Sequence, residues 1–336
     1  MTPISLSTPY LLFIGDVAEP IAAKTSNGIA RWRPDWCIGQ YRYPGCPVDL
    51  GLADLSLQEA WDRGARTLVL GVANRGGIMA PQWRKTLAEA LEIGYDLASG
   101  LHARLNDDPQ LSARAKELGR RLIDVRYLTF DCPVATGDPR SGRRLLTVGT
   151  DCSVGKMFTT LAIHREMVAR KVAADFVATG QTGIFISGCG VSIDALISDF
   201  ISGAVEVIAP AHPDPEHWYL IEGQGSLFHP SYAGVTLGLV HGAQAEALVL
   251  CHDLSREHLR HLPRFPQPTL EAAIARYEEA ARLTAPASRV VGLSVNTSSL
   301  EETAAKAYLR EVEDRLQLPA TDAYRFGAAP LVDAVL

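Results

Sequence analysis

One stretch constrains this chain more than any other: Arg144-Leu-Leu-Thr-Val-Gly149-Thr-Asp-Cys-Ser-Val-Gly155-Lys156. An apolar strand runs into a glycine-bounded loop, and the loop runs into a helix. Glycines let the backbone turn tightly and bring successive N–H groups onto one anion. The helix that follows points its positive end at the same place, and Lys156 adds a full charge. The loop departs from the pattern G-x-x-x-x-G-K-[ST]. Thr150 stands where the first glycine would be, with Gly149 one place earlier, and Met157 stands where Ser or Thr would hold Mg²⁺. Thr159 and Thr160 follow, but a helix turns them away from the Met157 position. Gly149, Thr150, Cys152, Ser153, Val154, Gly155, Lys156 and Met157 are therefore the candidates for holding phosphate. The competing reading is a glycine turn before an ordinary helix. Asp151 would repel phosphate unless it points away, which suits it to orienting Lys156 or a substrate amine. Lys156 itself reads as a solvated loop lysine.

Strand-like and helix-like segments alternate on both sides of this motif. Strands are expected at Tyr10–Ile14, Trp36–Tyr41, Thr67–Val72, Tyr95–Ala98 and Arg121–Val125, then at Arg144–Val148, Ala174–Ala178, Trp218–Ile221, Ala247–Leu250 and Arg289–Ser294. Helices are expected at Ile21–Trp32, Leu57–Arg63, Pro81–Ile93, Leu111–Leu118, Lys156–Arg170, Ile193–Ile201, Leu270–Leu283 and Leu300–Leu316. This alternation predicts an α/β chain with parallel sheets covered on both faces. At 336 residues it is too long for one ordinary core. Arg126–Gly142, with Pro133, Gly137, Pro139 and Gly142 and no periodicity, is the expected boundary. The predicted domains are residues 1–135 and 136–336.

Composition narrows the partners. The net charge is −6 and no stretch is rich in Lys and Arg, so neither nucleic acid nor an anionic membrane surface is expected. A small anionic ligand needs only local positive charge. Met1–Tyr10 has no basic residue, so it does not read as a signal peptide. The longest apolar runs, Leu11–Ile14 and Ala247–Cys251, are far too short to span a bilayer. A cytoplasmic homo-oligomer is expected. None of the six cysteines forms a Cys-x-x-Cys pair, and most read as small buried thiols. His252, His258 and His261 match no zinc spacing, so no metal site is predicted.

The variant Gly149-Thr-Asp with Val154-Gly155-Lys156 resembles the phosphate loop of dethiobiotin synthetase and its relatives. Two later segments fit the same plan: Trp218-Tyr-Leu-Ile-Glu222-Gly-Gln-Gly225-Ser, and Val290-Val-Gly-Leu-Ser-Val-Asn296-Thr. In those relatives the first faces the phosphates and the second substrate, and the second ends in an Asn that reads the adenine edge. An amide can donate and accept there at once. A wider set of stretches resembles a bacterial family that contains the D-glutamate N-acetyltransferases. They are Ala23-Lys-Thr-Ser-Asn-Gly-Ile-Ala, Trp32-Arg-Pro-Asp-Trp, Gly71-Val-Ala-Asn-Arg-Gly-Gly77, Ala98-Ser-Gly-Leu-His102, Gly149 to Met157, Thr179-Gly-Gln-Thr-Gly183, Glu222 to Pro230 and Ser294-Val-Asn-Thr297. This resemblance covers the chain from about Pro9 onward. It implies a Rossmann-like N-terminal domain and a P-loop NTPase-like C-terminal domain. It also implies transfer of acetyl from acetyl-CoA to the amine of D-glutamate, or a similar acidic amino acid, in D-amino-acid catabolism. Coenzyme A carries a pyrophosphate and a 3′-phosphate that a loop without its Mg²⁺ hydroxyl can still bind, so Mg²⁺ is not expected to be essential. The rival readings are an ATP-dependent ligase or kinase acting on a small carboxylate, and a nucleotide-binding regulator without activity.

Acetyl transfer needs a base for the ammonium, donors for the oxyanion and cations for substrate carboxylates. Glu222, His229 and Asp151 are the catalytic candidates. Glu222 ends an apolar strand and either takes the amine proton or caps the glycine turn; His229, before Pro230, either joins the site or caps a helix. Asn296 joins the loop residues in holding the cofactor. Lys24, Thr25, Asn74, Arg75, His102, Gln181, Thr182, Gln224 and Ser226 are candidates for the amino acid. Arg75 is first among them because a guanidinium pairs a carboxylate bidentately. The acceptor is expected in the first domain, across an interdomain cleft from the phosphate loop. Gly15-Asp16-Val17 lacks G-x-G-x-x-G, so no NAD is expected.

Overall fold

The computed structural model describes residues 6–72, 79–127 and 132–336. Two compact units divide the chain: Met1–Phe130 with Gly180–Ser192, and Asp131–Thr179 with Ile193–Leu336.

In the first unit the order is β1 (Tyr10–Gly15), α1 (Lys24–Trp32), β2 (Cys37–Arg42), α2 (Leu57–Asp62), β3 (Thr67–Leu70), α3 (Pro81–Ile93), β4 (Asp96–Ser99), α4 (Pro109–Leu118) and β5 (Leu122–Asp124). The strands form one parallel sheet in the order β2-β1-β3-β4-β5. Every residue of β1 is buried, as a strand covered on both faces requires. On α3 the buried residues Trp83, Leu87, Ala90 and Leu91 recur at helical spacing and form one stripe. Burying each large side chain stabilises the unit by roughly 1.5–3 kcal/mol before chain entropy is counted. Local signals set the helix ends. Ser56 and Glu59 form a reciprocal capping box on α2. Asp108 accepts from the Gln110 and Leu111 amides ahead of Pro109, and α4 stops at left-handed Gly119. The corner Trp32–Trp36 packs on itself: Arg33 lies 4.1 Å from the centre of the Trp36 ring, and Trp36 meets Tyr10 edge-on.

The second unit runs β6 (Arg143–Gly149), α5 (Lys156–Ala169) and β7 (Ala174–Val177). The next helix, α6 (Gln181–Ser187), belongs with the first unit, where Arg33 Nε donates to the Ile186 carbonyl at 2.9 Å. The chain returns through α7 (Ile201–Ile208), β8 (Trp218–Ile221), α8 (Ala233–Ala243) and β9 (Ala247–Asp253). A hairpin of β10 (His258–Leu259) and β11 (Leu262–Pro266) follows, then α9 (Leu270–Arg282), β12 (Arg289–Asn296), α10 (Glu302–Leu316), β13 (Ala320–Thr321) and α11 (Ala329–Asp333). Its main sheet is parallel, in the order β13-β12-β9-β6-β8-β7, so β6 lies inside the sheet between β9 and β8. Among the described residues no helix is long and apolar enough to cross a membrane.

Two expectations need correction. Ile193–Ile201 is not one helix; it holds two short 3-10 turns at Ile193–Ala195 and Ser198–Phe200, and the α-helix begins only at Ile201. The Ile193 amide is drawn back to the Thr179 carbonyl at 3.1 Å, and Ile197 is 70% exposed, so the apolar residues share no helical face. The cysteines are mostly not buried: Cys251 is, but Cys37, Cys46, Cys132 and Cys152 are half-buried and Cys189 is exposed.

Candidate active site on the phosphate loop

In a parallel α/β sheet, ligands bind outside the carboxyl ends of the strands, where the strand order reverses. In the second unit that edge carries Thr179 beyond β7, Glu222 beyond β8, Gly149 at the end of β6, Asp253 on β9 and Asn296 on β12.

The loop Gly149–Lys156 leaves β6 here. Ser153 and Gly155 take left-handed conformations, φ +54° and +98°. The carbonyls of Cys152 and Ser153 are held from outside by Arg256, whose Nη1 and Nη2 donate at 2.7 and 2.8 Å. Lys156 is buried rather than solvated, and its Nζ donates to the Asp151 carbonyl at 2.8 Å. Burial lowers its pKa below the ordinary lysine value. Its stem runs beneath Gly223, where any Cβ would stand 1.7 Å from the Thr147 carbonyl and 2.9 Å from Lys156 Cδ. Thr159 and Thr160 face the interior, bonded to Ser294 and Thr147, while Met157 is half-buried at the head of α5.

Both oxygens of the buried Asp151 carboxylate are engaged within the protein. Oδ1 accepts from the Cys152 amide at 2.6 Å; Oδ2 accepts from Arg256 Nη1 at 2.9 Å and from the Arg260 amide at 2.7 Å. His229 is buried, and its Nδ1 accepts from the Ser231 amide at 3.2 Å. That bond leaves the proton on Nε2, which faces the Arg260 carbonyl at 3.4 Å. Glu222 is also buried. Oε2 accepts from the Thr179 amide at 3.0 Å and Oε1 from Gln224 Nε2 at 3.1 Å. Ser226 Oγ donates to the Thr150 carbonyl at 3.1 Å, so the turn after Glu222 touches the phosphate loop.

Thr150 Oγ1 receives Gln267 Nε2 at 2.9 Å and lies 3.1 Å from His252 Nδ1, so its own hydrogen serves the imidazole. Burial pushes His252 down to about 4, against the pull of Asp253. Burial also raises the Cys152 thiol, which stays protonated near neutral pH. The ligand atoms of Asp151, Cys152 and His229 lie within 4.8 Å of one another. Arg256 already neutralises that carboxylate, which suits it to the loop rather than to an ion. At the far end of the edge, Asn296 Oδ1 accepts from the Ser298 amide at 3.1 Å.

In the first unit, the order β2-β1-β3 places its own switch point beyond β1 and β3. Lys24 is exposed there at the start of α1, and the Ser26 amide donates to the Gly71 carbonyl at 3.1 Å. The fold brings Thr25 and Thr182 together from 157 residues apart, Oγ1 to Oγ1 at 3.1 Å. Gln181 lies against Gly100, where a Cβ would stand 2.8 Å from Gln181 Cγ. His102 is exposed, and its carbonyl accepts from the Tyr127 hydroxyl at 2.5 Å. Asn74 and Arg75 lie outside the described residues.

Sequence reasoning missed Arg256, Arg260, Gln267 and Tyr277. Each follows β9 by a loop, hairpin or helix that no short motif marks. His252 was visible, but only as one of three histidines with no metal spacing.

The chain matches two family models, a "DUF1611_N Rossmann-like domain" over residues 45–128 and a "DUF1611_C P-loop domain" over residues 133–332. It is 53% identical over 330 residues to a D-glutamate N-acetyltransferase of Tritonibacter scottomollicae, covering 98% of this chain and 99% of that one. A D-glutamate N-acetyltransferase of Pseudoalteromonas is 43% identical over 329 residues, with the same coverage. The crystal structure of a DUF1611 family protein from Anabaena variabilis superposes with a TM-score of 0.88 at 33% identity, over 98% of this chain and 99% of that one. With both halves matched and nearly full-length relatives at this identity, the chain belongs to the DUF1611 family, with a Rossmann-like N-terminal and a P-loop C-terminal domain.

Proposed function

We propose that this chain is a D-glutamate N-acetyltransferase, and that acetyl-CoA is the donor, bound by its pyrophosphate on Gly149–Lys156. One observation carries the donor assignment: a phosphate loop with its lysine buried in place, but with Met157 where a metal-holding hydroxyl would stand. Such a loop suits phosphate binding without phosphoryl transfer. The identity to two relatives of that name supports the reaction. In the reaction the ammonium of the amino acid loses a proton, and the free amine attacks the thioester carbonyl. The tetrahedral intermediate then expels the CoA thiolate.

Glu222 is assigned the amine proton, because it is a buried carboxylate at the end of the strand that pairs with β6, on the sheet edge that carries the phosphate loop. Asp151 and His229, whose polar atoms hold main-chain groups, are assigned to keeping the loop in shape. Asn296 takes the adenine edge. Lys24, Thr25, Gln181 and Thr182, with Arg75, are assigned to the acidic acceptor.

The test is to incubate the protein with acetyl-CoA and a panel of D- and L-amino acids in excess EDTA, following free thiol and N-acetylated product. Thiol release with N-acetyl-D-glutamate, undiminished by EDTA, is expected. Turnover that stops in EDTA and returns with Mg²⁺, or ATP consumption without thiol release, would replace this reading with that of a ligase or kinase.

A further inference from the structure

We infer that Arg260 is a specificity residue that reads the 3′-phosphate of coenzyme A. The inference rests on the acetyl-CoA reading above. Three observations carry it.

The first is how Arg260 is held. It begins the two-residue turn Arg260–His261 of the β10–β11 hairpin, with Leu259 paired to Leu262 and His261 at φ +62°. Its amide donates to Asp151 Oδ2 at 2.7 Å, and its carbonyl faces His229 Nε2 at 3.4 Å. Two buried polar side chains thus anchor the main chain of one half-buried arginine at the rim of the phosphate loop.

The second is charge. Arg256, on the same segment, is matched by two carboxylates, Asp151 at 2.9 Å and Asp253 at 3.2 Å. Arg260 has no carboxylate partner among the described residues. Its Nη1 donates to the Ser153 hydroxyl at 2.6 Å, and its Nε and Nη2 are committed to no partner there. An unmatched guanidinium with free donors, fixed beside an anion-binding loop, favours a second phosphate, which it can grip bidentately.

The third is position. The segment 253–260 joins the two ends of the proposed nucleotide site. At one end the Leu254 amide donates to the Asn296 carbonyl at 3.3 Å; at the other Arg256 and Arg260 hold residues 151–153. A nucleotide with its pyrophosphate in the loop and its base toward Asn296 carries its ribose over this segment. Coenzyme A differs from an ordinary adenosine diphosphate ester in bearing a phosphate on that ribose.

The experiment is calorimetric titration of acetyl-CoA and acetyl-3′-dephospho-CoA against the wild-type protein, Arg260→Gln and Arg260→Lys, with thermal melts alongside. The wild type should bind acetyl-CoA about 10- to 100-fold more tightly, the value of a charge-assisted contact. Arg260→Gln should erase that gap by weakening acetyl-CoA alone, and Arg260→Lys should keep part of it. A gap that survives in Arg260→Gln, equal weakening of both ligands, or no gap in the wild type overturns the inference while leaving the donor assignment intact. Failure of the wild type to bind either ligand overturns the donor assignment itself, and the inference with it.

Discussion

The Tyr277 hydroxyl donates to the Gly149 carbonyl at 2.8 Å and receives the Gly149 amide at 3.4 Å. It also receives the Leu227 amide at 3.2 Å, so one fully buried phenol on α9 ties the first residue of the phosphate loop to the turn after Glu222. Burial pushes its pKa up to about 12, so it stays a neutral donor throughout the working range.

Tyr277→Phe removes only that oxygen. The buried Gly149 carbonyl and the part-buried Leu227 amide lose a partner, which costs about 1–3 kcal/mol for a buried group left unsatisfied. The variant should melt lower than wild type and bind acetyl-CoA several-fold more weakly, since the loop and its neighbouring turn lose their common tie. Melting and calorimetry check both effects. Unchanged values in both would show that the hydroxyl braces nothing.

His252 supplies a pH dependence. Its folded pKa of about 4 lies below the ordinary histidine value of 6.5. A histidine depressed in this way binds its proton more readily in the unfolded chain. Stability is therefore full above 6.5 and is lost as pH falls from 6.5 through about 4. His252→Asn can keep an acceptor facing the Thr150 hydroxyl but has no proton to gain. Denaturant titrations from pH 8 down to 4.5 should show a shallower acid loss in the variant. Identical slopes would remove His252 from the acid limb.

How much of this was legible in the sequence follows from where each signal is stored. The phosphate loop was plain because a strand, two glycines, a lysine and a helix lie within a dozen residues. Apart from the two-residue β13, the strands of the two parallel sheets were also readable, since β1, β6 and β9 are nearly continuous apolar runs buried on both faces. Helix α8 was not. It is apolar on most sides and carries three glycines, which local propensity scores against a helix. Gly242 is there because α7 packs on it: a Cβ would stand 2.4 Å from the Ser202 carbonyl. Nor could α6 be assigned to the first unit, because the Thr25–Thr182 pair that marks it spans 157 residues. The roles of Asp151 and His229 were obscured in the same way. Each meets the backbone of Arg260 as one of its partners, and the place of Arg260 at the loop depends on a hairpin without a turn signature.

Lys156 gives the last prediction. In the free protein its ammonium is buried, bonded to one carbonyl, and lowered in pKa chiefly by burial, with Arg256 adding to the effect. A phosphate placed beside it would restore the charged form and raise that pKa. Binding acetyl-CoA should therefore take up a proton once the pH approaches the depressed value. Affinity should fall as pH rises through that value, because the ligand must then recharge the lysine. Well below it the lysine is charged in both states and uptake should vanish. Calorimetry at one pH in two buffers of different ionisation enthalpy counts the protons, and repeating it over an alkaline series gives the profile. Lys156→Met should abolish the Lys-linked uptake and weaken acetyl-CoA by roughly ten- to a hundredfold, the loss of a charge-assisted bond. It should melt no lower than wild type, since it removes a buried charge that the free protein only partly satisfies. If the methionine variant takes up as many protons as wild type, or binds acetyl-CoA as tightly while melting normally, then Gly149–Lys156 does not hold the donor's phosphates.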